Sequence, residues 1–182
     1  SLPPIWILGS SGASARFAGS LGLGYGFASH FSPVSPIPAI QAYRESFRPS
    51  EKFERPHVIL GVAVVCAETD QEAEYLAKTM DLVAVRIHKG ELGLVPTPEE
   101  AMAYPYSPAE LEIVRQRRSL LICGSPSRVR ERLEALVAET GADEVIISTM
   151  IHDPKARLRS YELVGEALRG RAAQRAIAPE RS

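Results

Sequence analysis

The residues best suited to chemistry lie near the start of the chain. Gly9-Ser10-Ser11-Gly12-Ala13-Ser14 places three hydroxyls and two glycines within six positions. The run stands between Ile5 to Leu8, a continuous apolar stretch that reads as a buried parallel strand, and Ala13 to Leu21, which suits a short helix. A strand-to-helix turn of this kind gathers the free amides of a helix N-terminus, and its glycines let the backbone approach a ligand closely. An anionic phosphate needs both. Spacing alone supports a serine-capped turn with no ligand equally well. The run is neither a P-loop nor a GxSxG elbow, and Gly22, Gly24 and Gly26 do not make a GxGxxG. Dinucleotide and serine-hydrolase readings are therefore weak.

The second candidate is His30, flanked by Ser29 and Phe31 and following a short strand-like run, Gly24 to Ala28. A lone histidine is more often structural or exposed than catalytic. The end of a parallel strand, where ligands bind in α/β folds, raises its standing. His57, His88 and His152 fall at a strand start, a helix end and a loop, and no two histidines show metal-ligand spacing, so no metal site is expected. Cys66 and Cys123 lie in apolar runs without CxxC spacing and read as buried free thiols.

The elements that must carry these residues alternate. Ile37, Ile40, Tyr43 (or Arg44) and Phe47 have helical spacing up to Pro49. His57 to Ala67, rich in valine, is the clearest strand. Thr69 and Glu72 make a capping box ahead of an apolar stripe, Ala73, Leu76, Ala77, Met80, Val83, Ala84 and Ile87, that ends at Gly90. Residues 90–106, with three prolines, read as a loop or insertion. Ser107-Pro108-Ala109-Glu110 opens another helix, and Ser125-Pro126 a further one that finishes at Gly141. Val145 to Ile147 is a last buried strand, followed by a terminal helix through Tyr161 and Leu168. Residues 170–182 read as a frayed tail. Gly22 is expected to close the helix after the first strand in a left-handed cap, with Phe17 and Leu21 sharing a face.

Four strand–helix alternations predict parallel (β/α) units, either a small open sheet or half of an eight-stranded barrel. The first strand has no preceding element to pair with, so the sequence reads as beginning in the middle of a fold. Lys and Arg (21) nearly balance Asp and Glu (22), which gives no electrostatic reason to expect nucleic acid or an anionic membrane. No apolar stretch reaches bilayer length and no basic n-region precedes the first apolar run, so a cytoplasmic location is expected.

Three stretches, in order, resemble bacterial luciferase-like monooxygenases. They are Pro4-Ile5-Trp6-Ile7-Leu8-Gly9-Ser10-Ser11, then Gly22-Leu23-Gly24-Tyr25-Gly26-Phe27-Ala28-Ser29-His30-Phe31, then Cys123-Gly124-Ser125-Pro126-Ser127-Arg128-Val129 with Thr140-Gly141-Ala142-Asp143-Glu144. The resemblance implies a single partial domain over residues 1–182: strands five to eight, the C-terminal half, of a TIM (β/α)8 barrel. It further implies non-covalent reduced FMN, supplied by a separate flavin reductase and used with O2 on a small organic substrate. The deazaflavin F420, in a dehydrogenase of the same superfamily, is the alternative. Phosphate contacts in the family fall on the turn after the fifth strand, here Ser10, Ser11, Gly12 and Ser14. Ser10 stands where some members carry an acid. The end of the sixth strand, here Ala28, Ser29 and His30, would lie near the isoalloxazine ring, with His30 the one catalytic candidate. A half-barrel exposes strand edges and an apolar face, so self-association into a homo-oligomer is expected, and a non-catalytic flavin- or phosphate-binding half-barrel is the rival from another class.

Overall fold

The computed structural model of the chain describes residues 3–91 and 93–177. Five strands and seven helices follow one another among them: β1 (Trp6–Gly9), α1 (Gly12–Ser20), β2 (Gly24–Ala28), α2 (Ile37–Ser46), β3 (Val58–Cys66), α3 (Asp70–His88), α4 (Pro98–Ala103), α5 (Pro108–Arg118), β4 (Leu121–Gly124), α6 (Pro126–Thr140), β5 (Glu144–Ser148) and α7 (Pro154–Ile177). They form two compact units, one of residues 1–63 and 134–148, the other of residues 64–133 and 149–182.

The first unit holds the parallel sheet. β1 pairs β2 from Trp6↔Gly24 to Gly9↔Phe27, and β2 pairs β3 from Tyr25↔Val58 to Ala28↔Gly61. β3 in turn pairs β5 from Ile59↔Glu144 to Ala63↔Ser148, also in parallel. The pleat sorts the side chains onto two faces. Tyr25, Phe27, Val58, Leu60 and Val62 are buried, and the Tyr25 ring packs against Tyr43 of α2 at 5.4 Å between centroids. The other face carries Leu8 and Ile146, exposed by 74% and 58%. The expected parallel α/β architecture is thus present.

α1 lies against α2 through its smallest residues. Ala15, Ala18 and Gly19 are buried, and Phe17 and Leu21, expected to share a face, are both exposed. The reason is close approach: a β-carbon on Gly19 would stand 2.6 Å from the Tyr43 carbonyl oxygen. Gly22 ends α1 as anticipated, with φ +63°. Its N–H donates to Gly19 O, and Leu23 N–H donates to Ala18 O, which is the paired bonding of a Schellman cap. Gly141, with φ +65°, ends α6, and the Arg44 guanidinium donates to the carbonyls of Thr140 and Gly141 at 3.2 and 2.5 Å.

β4 neighbours β3 in the sheet, and just beyond β3 the Ala67 N–H donates to Gly124 O. Leu121–Gly124 is a strand that the apolar run alone left unassigned. Thr69 caps α3 by accepting from Glu72 N–H at 3.1 Å, but the reciprocal bond from the Glu72 carboxylate is not formed among the described residues. Ser107 and Glu110 complete theirs in both directions. So do Thr97 and Glu100, which open α4 inside the 90–106 stretch expected as loop or insertion. The buried face of α3 runs through Ala73, Ala77, Leu82, Ala84 and Val85, while Ile87, placed in the expected stripe, is exposed. α7 is helical to Ile177, well into the stretch read as a tail; residues 178–182 of that stretch lie outside the described residues. Among the described residues no helix is long and apolar enough to cross a membrane, and no cluster of His, Cys, Asp and Glu has the makings of a metal site.

Candidate functional site

Because β1 and β2 run side by side in register, Gly9 against Phe27, the turn after β1 and the residues after β2 emerge at one edge of the sheet. This edge, at the carboxyl ends of parallel strands, is where α/β folds place ligands. It brings together both groups of sequence-predicted residues, Ser10, Ser11, Gly12 and Ser14 from the first connection and Ala28, Ser29 and His30 from the second.

The turn is built around Ser11. It is the N-cap of α1, in extended conformation, and its hydroxyl accepts from Ser14 N–H at 3.3 Å. Its carbonyl oxygen is the meeting point of three donors: Ala15 N–H at 3.1 Å, the Ser14 hydroxyl at 2.9 Å and the Tyr25 hydroxyl at 3.3 Å. The Ser14 and Tyr25 hydroxyls also lie 3.5 Å apart, and the Ser11 and Ser14 hydroxyls 3.2 Å apart. Gly9 makes the arrangement possible, since the Ser14 side chain occupies the space a β-carbon on Gly9 would fill. Ser10 and Ser11 are exposed, and Gly12 and Ser14 are half-buried. The amides of Gly12 and Ala13, in the first turn of α1, have no helical carbonyl to reach. The Arg16 guanidinium folds back over Gly12, with Nη1 3.4 Å from where a β-carbon there would stand.

These groups form a donor set for an anion: two exposed serine hydroxyls, first-turn amides at the positive end of a helix, and a guanidinium one turn along. Burial pushes the Tyr25 phenol up from its ordinary value, outweighing the opposing hydrogen bond from Ser14, so this group keeps its proton and serves as a neutral donor. Tyr25 and Arg16 were not singled out from sequence; Gly9 was, as a glycine that lets the backbone approach a ligand, whereas here it makes room for the Ser14 side chain. Arg16 was within reach of helical spacing, four residues after Gly12. Tyr25 was not, because its hydroxyl meets Ser11 only through the β1–β2 register.

At the end of β2, Ala28 is buried and Ser29 and His30 are half-buried. The His30 N–H donates to Gly61 O at 3.1 Å, and its ring lies so close to Gly61 that a β-carbon there would come within 2.8 Å of Nδ1. The exposed ring of Phe31 stands 4.1 Å from that of His30.

Comparison with known proteins adds the family. Residues 1–144 match the family model described as luciferase-like monooxygenase. The chain is 38% identical over 160 residues to a luciferase-like monooxygenase of Escherichia coli (strain K12), covering 88% of the chain and 48% of that protein. Among solved structures it is similar to apo-MsnO8, with 39% identity and a TM-score of 0.80 over 91% of the chain and 50% of that one. The chain spans about half the length of the relatives it matches. Two more distant structures share the fold: the oxygenating constituent of 3,6-diketocamphane monooxygenase from Pseudomonas putida, in complex with FMN (22% identity, TM-score 0.56, 91% of the chain and 48% of that one), and an F420-dependent secondary alcohol dehydrogenase in complex with an F420-acetone adduct (12% identity, TM-score 0.57, 92% and 49%).

Proposed function

The chain belongs to the luciferase-like monooxygenase family, and from that premise we propose that it is the phosphate-holding half of an FMN-dependent monooxygenase acting on a small organic substrate with O2. The observation that carries the reading is the turn from Ser10 to Ser14, where hydroxyls, first-turn amides and Arg16 converge at the carboxyl edge of the sheet. Reduced FMN, delivered by a separate flavin reductase, supplies the electrons that activate oxygen. The chain's own residues hold and orient. Ser10, Ser11 and the amides of Gly12 and Ala13 bind the phosphate, with Ser14 beside them. Ala28, Ser29 and His30 line the ring, and His30, backed by Gly61, is the group there able to hold or move a proton. The same donor set accepts the phosphate of F420, so reconstitution with each cofactor separates a monooxygenase from a dehydrogenase.

A second reading rests on the exposed Leu8 and Ile146: a non-catalytic half-barrel that binds flavin and self-associates through its apolar face. Titration of oxidised and reduced FMN into the chain, followed by flavin fluorescence, tests the site. Saturable binding that falls in the Ser11→Ala, Ser14→Ala double variant supports it; unchanged affinity in that variant rules against this placement of the phosphate. Sedimentation of the same samples reports self-association.

A further inference from the structure

The hydrogen bonds around Ser11 contain one donor more than a helix cap requires. A carbonyl oxygen has two lone pairs, yet Ser11 O receives Ala15 N–H, the Ser14 hydroxyl and the Tyr25 hydroxyl. The backbone donor is fixed by the helix. The two hydroxyls are alternatives for the remaining lone pair, and they stand 3.5 Å apart, so either can donate to the other. Ser14 has a single proton, and while it points at Ser11 O it is not available to a ligand.

We infer that Tyr25 is a positioning residue whose hydroxyl takes over the Ser11 carbonyl when Ser14 turns its proton toward a bound phosphate. The inference rests on the phosphate reading given above and adds the exchange that lets Ser14 take part in it. Tyr25 fits the task on three further counts. Its ring is fully buried and wedged against Tyr43, so the hydroxyl is held in place without a ligand. Register fixes it to β2 beside β1, the strand that delivers the turn. Its proton is retained at all ordinary pH values because burial disfavours the phenolate. Without the tyrosine hydroxyl, Ser14 must satisfy Ser11 O itself, and the phosphate loses one donor.

The test compares FMN with riboflavin, which has the same ring and no phosphate. In Tyr25→Phe, FMN affinity is expected to fall roughly tenfold, the worth of one hydrogen bond to a charged group, while riboflavin affinity stays constant. In a Ser14→Ala background the same substitution is expected to leave the FMN-to-riboflavin ratio unchanged, because the proton it frees is already gone. Equal losses for both ligands in Tyr25→Phe would assign the tyrosine a purely structural role and overturn the inference, as would full additivity with Ser14→Ala. The underlying reading fails separately, if Ser11→Ala, Ser14→Ala leaves the ratio untouched. No saturable FMN binding by the unsubstituted chain would overturn both.

Discussion

Arg118 grips Asp81 through two parallel hydrogen bonds, Nε to Oδ1 at 2.5 Å and Nη2 to Oδ2 at 3.0 Å, and reaches Glu74 with Nη1 at 3.0 Å. The Asp81 side chain is only 8% exposed, so its charge depends on this partner, with Lys78 a distant second at 3.8 Å. Arg118→Ala is expected to destabilise the chain by about 3–5 kcal/mol, because it strands a buried carboxylate. Urea unfolding measures the loss. Replacing both partners by apolar residues, Arg118→Met with Asp81→Leu, should recover most of it. A double variant as unstable as the single one would mean the pair matters for more than mutual charge compensation.

Gly9→Ala should damage the Ser10–Ser14 turn, proposed above to hold phosphate, from beneath. The methyl group would enter the space held by the Ser14 side chain, and Ser14 cannot retreat without breaking its bond to Ser11 O. A stability loss of about 1–3 kcal/mol is expected from the overpacking, together with weaker FMN binding. Thermal unfolding and the flavin titration read the two effects. Wild-type values for both would show that the turn tolerates the methyl group.

Acid should loosen the start of α5 through Glu110. The Ser107 amide and hydroxyl, then the Tyr104 hydroxyl, hold its carboxyl down to about 2 from an ordinary 4.5. A folded-state value below the unfolded one contributes stability above the unfolded value and loses it as pH falls through the folded one. The window therefore lies between about 4.5 and about 2. Glu110→Gln should flatten that part of the stability–pH curve; parallel curves for the two proteins would refute the assignment.

Neither cysteine should behave as a reactive thiol. Burial, aided by Glu68, pushes Cys66 up to about 11, and burial with Glu74 pushes Cys123 up to about 12. At pH 8 both are then thiols rather than thiolates. A chromogenic disulfide reagent should label the native chain slowly and modify both residues promptly in denaturant. Rapid labelling of one thiol in the native chain would contradict this.

Much of the fold was legible where local chemistry decides it. Gly24–Ala28 reads as a strand from its neighbours and is β2 to the residue, and Gly22 announces its own cap. The Thr97-Pro98-Glu99-Glu100 box was equally local, but three prolines between 90 and 106 masked it as loop. What depends on packing was not legible. The spacing of Phe17 and Leu21 predicts a shared face, but that it is the outer face of α1 follows from contact with α2 at Gly19, which demands small residues there and turns the large ones outward. The site divides in the same way. Gly9 to Ser14 is contiguous and visible as a turn; that Gly9 makes room for the Ser14 side chain, and that the Tyr25 hydroxyl reaches Ser11 through the strand register, leave no mark in spacing.

β3 is paired on one side by β2, its sequence neighbour, and over Ile59–Ala63 on the other by β5, whose partner register begins only at Glu144. During synthesis at about 5–20 residues per second, the roughly 80 residues between Ala63 and Glu144 keep that side of β3 waiting for about 4–16 s. A valine-rich strand left half-paired for so long is a template for any other extended segment that reaches it first. The slow step in making this sheet is thus a late closure, set by the order in which the ribosome releases the chain, and the yield of native protein should rise when translation through that interval is accelerated.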